Sequence, residues 1–265
     1  MLLTDDWARW FRRYVPKPDA TGRLVCFTPA GSLPSFYLDW ARTAPAEVEV
    51  LAVTLPGREQ RSAEPPATDL ESLADAVAQA LRPLGDRPTA LFGHSMGAAV
   101  AYEVGRRVEA AGGSLAGLVV SGCASPARLR ERRSSLTAYD NDRLAVYLRD
   151  LGGTPAQLFD DPELRQLVVD AFRADLAVLE PYRPDETGSR LRTAVHVLRG
   201  EQDQATPGHD AARWAEVTDR FAGVRSFPGG HFYLLDQRSA VLRAAVEPLR
   251  GHGLQPMFMH AHRKG

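Results

Sequence analysis

Long apolar runs, cysteine and lysine are all scarce in this chain, and its charges nearly cancel. No segment of the 265 residues approaches the roughly 20 consecutive apolar positions that a bilayer span requires. The first residues, with Asp5, Asp6 and Arg12 among the aromatics, lack a signal-peptide core. A soluble cytoplasmic protein with no membrane partner is therefore expected. The formal net charge is -1, which gives no basic field to attract nucleic acid. Both cysteines lie in apolar surroundings, Cys26 inside Leu24-Val25-Cys26-Phe27 and Cys123 after Val119-Val120. Buried free thiols are the expectation there, since a reducing compartment disfavours a disulfide. Of the 32 basic residues only Lys17 and Lys264 are lysine, a bias of coding composition that says nothing about chemistry. The stretch from Gly251 to Gly265 carries His252, His260 and His262, but no cysteine or carboxylate stands at ligand spacing. It reads as a flexible tail with no metal site.

What is present is a 44% hydrophobic composition, enough to bury one substantial core. Strand-like runs at Leu24 to Phe27, Glu49 to Thr54, Thr89 to Phe92, Leu118 to Ser121, Val195 to Leu198 and Val224 to Phe227 alternate with helical patterns. That alternation predicts an α/β fold with a mostly parallel central sheet flanked by helices. A helix from Asp69 to Leu84 is expected behind a capping box, Thr68-x-x-Glu71, and another from Met96 to about Ala111. Trp7, Trp10, Phe11 and Tyr14 recur at helical spacing and predict an N-terminal helix. The segment 124–188 breaks the alternation with two or three helical stretches, marked by Leu144, Val146, Tyr147 and Leu148 and then by Leu164, Leu167, Val168, Phe172, Leu176 and Leu179. The expected organisation is a core from 1–123 and 189–250, a helical lid insertion at 124–188 and a tail at 251–265.

The most informative residues are Gly93-His94-Ser95-Met96-Gly97, between an apolar run and a small-residue helical pattern. A serine on such a strand-to-helix turn has its hydroxyl pushed out of the sheet. Glycine at 93 and 97 removes the Cβ atoms that would collide in so tight a turn, and the following helix aims the Met96 amide at an oxyanion. Catalysis of this kind also needs an acid and then a histidine further along the chain. Asp203, after Gly200-Glu201-Gln202, and His231, after Pro228-Gly229-Gly230, stand in that order. Ser95, Asp203 and His231 are therefore the expected catalytic triad. His94 and His196 are assigned to packing or hydrogen bonding.

Further motifs carry a resemblance. They are Leu24 to Phe27 leading into Ala30-Gly31, then Leu55-Pro56-Gly57-Arg58-Glu59, the elbow, and Leu151-Gly152-Gly153-Thr154-Pro155. Arg173-Ala174-Asp175-Leu176, Gly200 to Asp203 and Pro228-Gly229-Gly230-His231-Phe232 complete the set. Across nearly its whole length the chain resembles the type II thioesterases that accompany polyketide synthases and nonribosomal peptide synthetases. The resemblance implies the α/β-hydrolase fold and hydrolysis of acyl groups from phosphopantetheinyl acyl or peptidyl carrier proteins through a serine acyl-enzyme. It implies an editing role, with no cofactor beyond the arm that the substrate carries, and a monomer is expected. Family alignment makes Ala30 the second oxyanion amide beside Met96. The family's first loop usually reads Phe-Pro-His-Ala-Gly-Gly, whereas here it is Phe27-Thr28-Pro29-Ala30-Gly31-Ser32, which leaves open the shape beside the nucleophile. The same triad also serves carboxylesterases, lipases and product-releasing thioesterases. Arg58 and Glu59 are expected to pair as a loop brace. Arg128, Arg130, Arg132 and Arg133 form a basic stretch at the lid entrance, read as a solvated loop, with an acidic carrier surface as the alternative.

Overall fold

The computed structural model describes residues 6–131, 135–185 and 189–250. Its frame is a seven-stranded sheet in the order β1-β3-β2-β4-β5-β6-β7. The strands are β1 (Phe11–Arg12), β2 (Gly22–Phe27), β3 (Val48–Val53), β4 (Thr89–His94), β5 (Gly117–Ser121), β6 (Val195–Gly200) and β7 (Phe221–Phe227). Every pairing is parallel except that of β1 with β3. All six strands read from the sequence are present. The short β1 is an addition, because the expected N-terminal helix stops early: α1 covers Asp6–Trp10, and Phe11 then pairs with Val53.

Strands β2 to β5 are buried at every position, as a parallel sheet covered on both faces requires. Alternate residues serve opposite faces. Val25, Phe27 and Leu91 join one apolar cluster, while Leu24, Cys26, Ala90 and Phe92 join the other. The first face is covered by α3 (Leu70–Leu81) and α4 (Met96–Ala110), and the second by α2 (Leu38–Thr43), α9 (Tyr233–Asp236) and α10 (Arg238–Val246). The start of α3 corrects the expected capping box: Asp69 is the cap, its carboxylate accepting the Ser72 N–H at 2.7 Å. A carboxylate can fill the orphan donors of a first turn as well as a Thr hydroxyl can, and here the turn begins one residue later.

Between β5 and β6 lie α5 (Pro126–Glu131), α6 (Asn141–Leu151) and α7 (Pro162–Leu179), whereas α8 (Gly208–Ala212) follows β6. Helices α6 and α7 enclose a third apolar cluster of their own around Leu144, Leu148, Phe172 and Leu176, and Ala30 packs against it. Part of the apolar pattern in this segment faces outward, because Val146, Leu164 and Leu167 are exposed. Two helices alone have too little surface to cover both sides of their stripes. The strand expected at Val224 to Phe227 is also an edge, with Val224 exposed. The tail at 251–265, together with Arg132 and Arg133 of the basic stretch, lies outside the described residues.

Along the chain the sheet grows from β2 outward to β3, then crosses back to place β4 on the other side of β2. At such a reversal the loops leaving the two central strands diverge and open a crevice at their carboxyl ends. The loop carrying Ala30 leaves β2 there, and Ser95 leaves β4 beside it.

Candidate active site

Ser95 sits between the last residue of β4 and the first of α4, with φ 54° and ψ -123°. This conformation is disfavoured for any residue bearing a Cβ and costs on the order of 1–3 kcal/mol. Its own N–H is held by the Ser121 carbonyl of β5 at 2.8 Å. The flanking glycines are obligatory. A Cβ on Gly93 would overlap the Gly97 carbonyl oxygen, and one on Gly97 would overlap the Phe27 carbonyl oxygen at the end of β2. Met96, 1% exposed, opens α4, and the first amides of a helix have no intrahelical acceptor. Its N–H is thus available at the positive end of the helix.

Asp203 and His231 leave the ends of β6 and β7. These two loops are pressed together, because a Cβ on Gly200 would overlap the Gly230 carbonyl oxygen. Gln202 clasps them. Its backbone N–H donates to the Gly229 carbonyl at 3.0 Å, and its side-chain oxygen accepts the Gly229 N–H at 2.6 Å. The clasp brings His231 Nδ1 to 3.0 Å from Asp203 Oδ2, with the two residues 8% and 3% exposed. Burial alone would raise the Asp203 carboxyl. The hydrogen bond and charge of His231, with the Ala205 amide at 3.0 Å, outweigh it and hold the carboxyl below its ordinary value. With Nδ1–H committed to an ionised carboxylate, Nε2 is left as the proton acceptor.

Behind this pair lies a buried polar chain that begins at His94, which the sequence assigns to packing or hydrogen bonding without a partner. His94 Nδ1 is 2.9 Å from Ser121 Oγ, which is 2.6 Å from the Tyr233 hydroxyl. The His94 ring lies 4.9 Å from that of His231. Burial first, and then the charge on His231, push its pKa well below the usual imidazole value.

Arg58 does not pair with Glu59. Its Nη2 donates to Asp175 Oδ2 on α7 at 2.9 Å and to the Ala171 carbonyl at 2.9 Å. Glu59 turns away to accept the Tyr14 hydroxyl at 2.9 Å and the Ser35 N–H at 3.3 Å. Arg58 is extended, with φ -122° and ψ 144°, and the backbone then swings into the left-handed region at Glu59, φ 41°, which sends the two side chains to different partners. Asp175 Oδ2 also accepts the Gly31 N–H at 2.6 Å. Two motifs distant in sequence therefore meet at the loop that carries Ala30. A second junction joins Gly153, where a Cβ would stand 2.6 Å from the Phe232 ring, to the residue that packs edge-on against His231 at 5.2 Å. The signal for Asp175 was legible as an acid on the buried stripe between Phe172 and Leu176. Its partners were not.

Ser95, Met96, Ala30 and His231 line a cavity of about 650 Å³ together with Leu136, Tyr147, Phe172 and Leu176. The five site residues expected from sequence thus gather at one place: four line this cavity directly, and Asp203 stands behind His231. Arg128 also reaches the cavity, but it is engaged by Glu131 and Asp210, each at 3.4 Å. Arg130 donates to the Pro184 carbonyl at 3.5 Å. No helix among the described residues is long and apolar enough to cross a membrane.

The thioesterase-domain family model matches residues 22–247. A probable cadicidin biosynthesis thioesterase of Streptomyces griseus is 40% identical over 240 residues, which is 89% of this chain and 65% of that protein. Thioesterase PikA5 of Streptomyces venezuelae is 36% identical over 89% of this chain and 83% of its own length. Among solved structures, the type II thioesterase BorB from the borrelidin biosynthetic cluster superposes with a TM-score of 0.84 at 40% identity, over 91% of this chain and 98% of that one. YbtT, a type II thioesterase from the yersiniabactin pathway, gives 0.80 at 28% identity, over 89% and 96%.

Proposed function

The chain belongs to the thioesterase-domain family, among the type II thioesterases of polyketide and nonribosomal peptide pathways with the α/β-hydrolase fold, and from that premise we propose that it is an editing enzyme. It frees aberrant or stalled acyl groups from the phosphopantetheine arms of carrier proteins through an acyl-enzyme on Ser95. The 3.0 Å bond from Asp203 to His231, which lines the same cavity as the strained serine, carries the acyl-enzyme part of this reading.

His231 Nε2 takes the proton of Ser95 as Oγ attacks the thioester carbonyl, and Asp203 stabilises the imidazolium. The amides of Met96 and Ala30 hold the oxyanion. The pantetheine thiol leaves with the proton from His231, which then activates the water that releases the acid. The reaction uses no cofactor other than the arm on the substrate. Segment 124–188 acts as a lid whose apolar face accepts the acyl chain and excludes water.

The charge of the cavity supports release of short uncharged acyl groups over malonyl-type ones, as editing requires. Glu131, Glu180 and Asp210 contribute carboxylates to its wall, and Arg128 is neutralised by two of them. A malonyl-type group would bring a further negative charge there, whereas acetyl and propionyl groups would not. A competition assay over acyl groups loaded on one carrier protein tests this directly. Release of acetyl and propionyl ahead of malonyl is expected, and selective release of a single long product would refute editing. The Ser95→Ala variant should lose roughly 10⁴- to 10⁶-fold in turnover; near-normal carrier hydrolysis there would sink the serine mechanism.

A further inference from the structure

The Arg58–Asp175–Gly31 junction does no chemistry in the mechanism above, yet it is built at a cost. Asp175 and Arg58 side chains are each 9% exposed, and burying a charged pair rarely adds net stability over apolar residues of the same size. What such a pair does supply is direction. The Gly31 N–H, held at 2.6 Å by the carboxylate, belongs to the same rigid peptide plane as the Ala30 carbonyl. Fixing that plane fixes one side of Ala30. On the other side Pro29 has its φ set by its ring, and the Phe27 carbonyl at the root of the loop is held by the Tyr37 hydroxyl at 2.8 Å. The glycine itself is required, because it has φ +76° and a Cβ there would stand 3.3 Å from Phe172 Cβ on α7.

We propose that Asp175, held in place by Arg58, is a positioning residue that aims the Ala30 amide into the oxyanion hole and couples that hole to the seating of helix α7. The inference rests on the serine mechanism, in which Ala30 supplies the second donor. Neither side chain lines the cavity beside Ser95. If α7 lifts, the carboxylate leaves Gly31, so the hole is complete only when the lid helix is down.

The test compares Asp175→Ala and Asp175→Asn with the parent enzyme, using an acyl-pantetheine thioester as substrate and a matched acyl trifluoromethyl ketone, which forms a tetrahedral adduct on Ser95. Deleting one oxyanion donor costs about 10²- to 10³-fold; a misaimed one should cost about 10- to 100-fold in kcat for Asp175→Ala. KM should stay within about threefold, and ketone affinity should fall by the same factor as kcat/KM, since both report transition-state binding. Asp175→Asn keeps a neutral acceptor for Gly31 and should fall in between. It carries the test if the alanine variant does not fold. Unchanged kcat in a folded variant overturns the proposal. So does a rise in KM with kcat and ketone affinity intact, the signature of a lid that only packs. Ser95→Ala measured alongside separates the two levels of failure. Activity in that variant refutes the serine mechanism itself, whereas its inactivity beside unaffected Asp175 variants refutes only the positioning role.

Discussion

Lowering the pH from about 7.5 to about 5.5 should cost the folded chain on the order of 1 kcal/mol through His94 alone. His94 is 0% exposed, with Nδ1 beside Ser121 Oγ and Nε2 buried without a hydrogen-bond partner. Burial, and after it the charge on His231, hold its pKa well below that of a free imidazole. In the unfolded chain the same ring takes up a proton near pH 6.5. Below that pH the unfolded state therefore binds a proton that the folded state refuses. The contribution is fully present above the unfolded pKa and is lost progressively as the pH falls through it toward the folded pKa. A loss on the order of 1 kcal/mol is equivalent to roughly 2–4 °C in Tm for a chain of this size. The half-buried His196 is shifted the same way by burial, so His196→Gln is measured alongside to separate its share of the same sign. The assay is the Tm of the parent, His94→Gln and His196→Gln at both pH values. His94→Gln has a lower absolute Tm, but the drop between the two pH values should shrink by about 2–4 °C. An undiminished drop in His94→Gln would refute the reasoning.

Asp203→Asn should leave the fold intact and lower kcat by about 10⁴-fold, because an amide favours the wrong tautomer of His231; a loss under tenfold in an acyl-carrier assay would count against the triad. Gly97→Ala should yield little soluble protein, since its methyl group overlaps the Phe27 carbonyl in the centre of the sheet. Normal expression with a parental Tm would contradict the elbow geometry. Tyr147→Ala should open the cavity wall beside Phe172, whose ring lies 6.1 Å away. The kcat/KM for longer acyl chains should then rise by up to about fourfold per methylene, following about 0.8 kcal/mol for each CH₂ buried. An unchanged chain-length profile across an acyl-pantetheine series would show that the chain lies elsewhere.

Periodicity and composition alone carried the six longer strands, the helices behind β3 and β4, and the strandless helical segment between β5 and β6. They did so because burial on two sheet faces writes itself into the sequence as apolar runs separated by helical stripes. They erred where a local pattern had two solutions. The aromatic spacing at Trp7 to Tyr14 fits a helix as well as a helix followed by an edge strand, and only pairing with β3 decides between them. The cap at Asp69 differs from the expected Thr68 for the same reason.

The site divides along the same line. Ser95, its glycines and the order of Asp203 and His231 are local chemistry: the turn requires small residues within a few positions, and each loop follows its own strand. Sequence by itself therefore determined the elbow and the order of Ser95, Asp203 and His231. It could not determine the contacts of Arg58 with Asp175, of Gly153 with Phe232, or of His94 with Ser121. Each joins residues that only the folded sheet and its helical layer bring together, and a charge or a glycine carries no mark of its distant partner. The tertiary structure decided these contacts because burial makes an unpaired charge or an extra methyl group costly only once the opposing surface is in place.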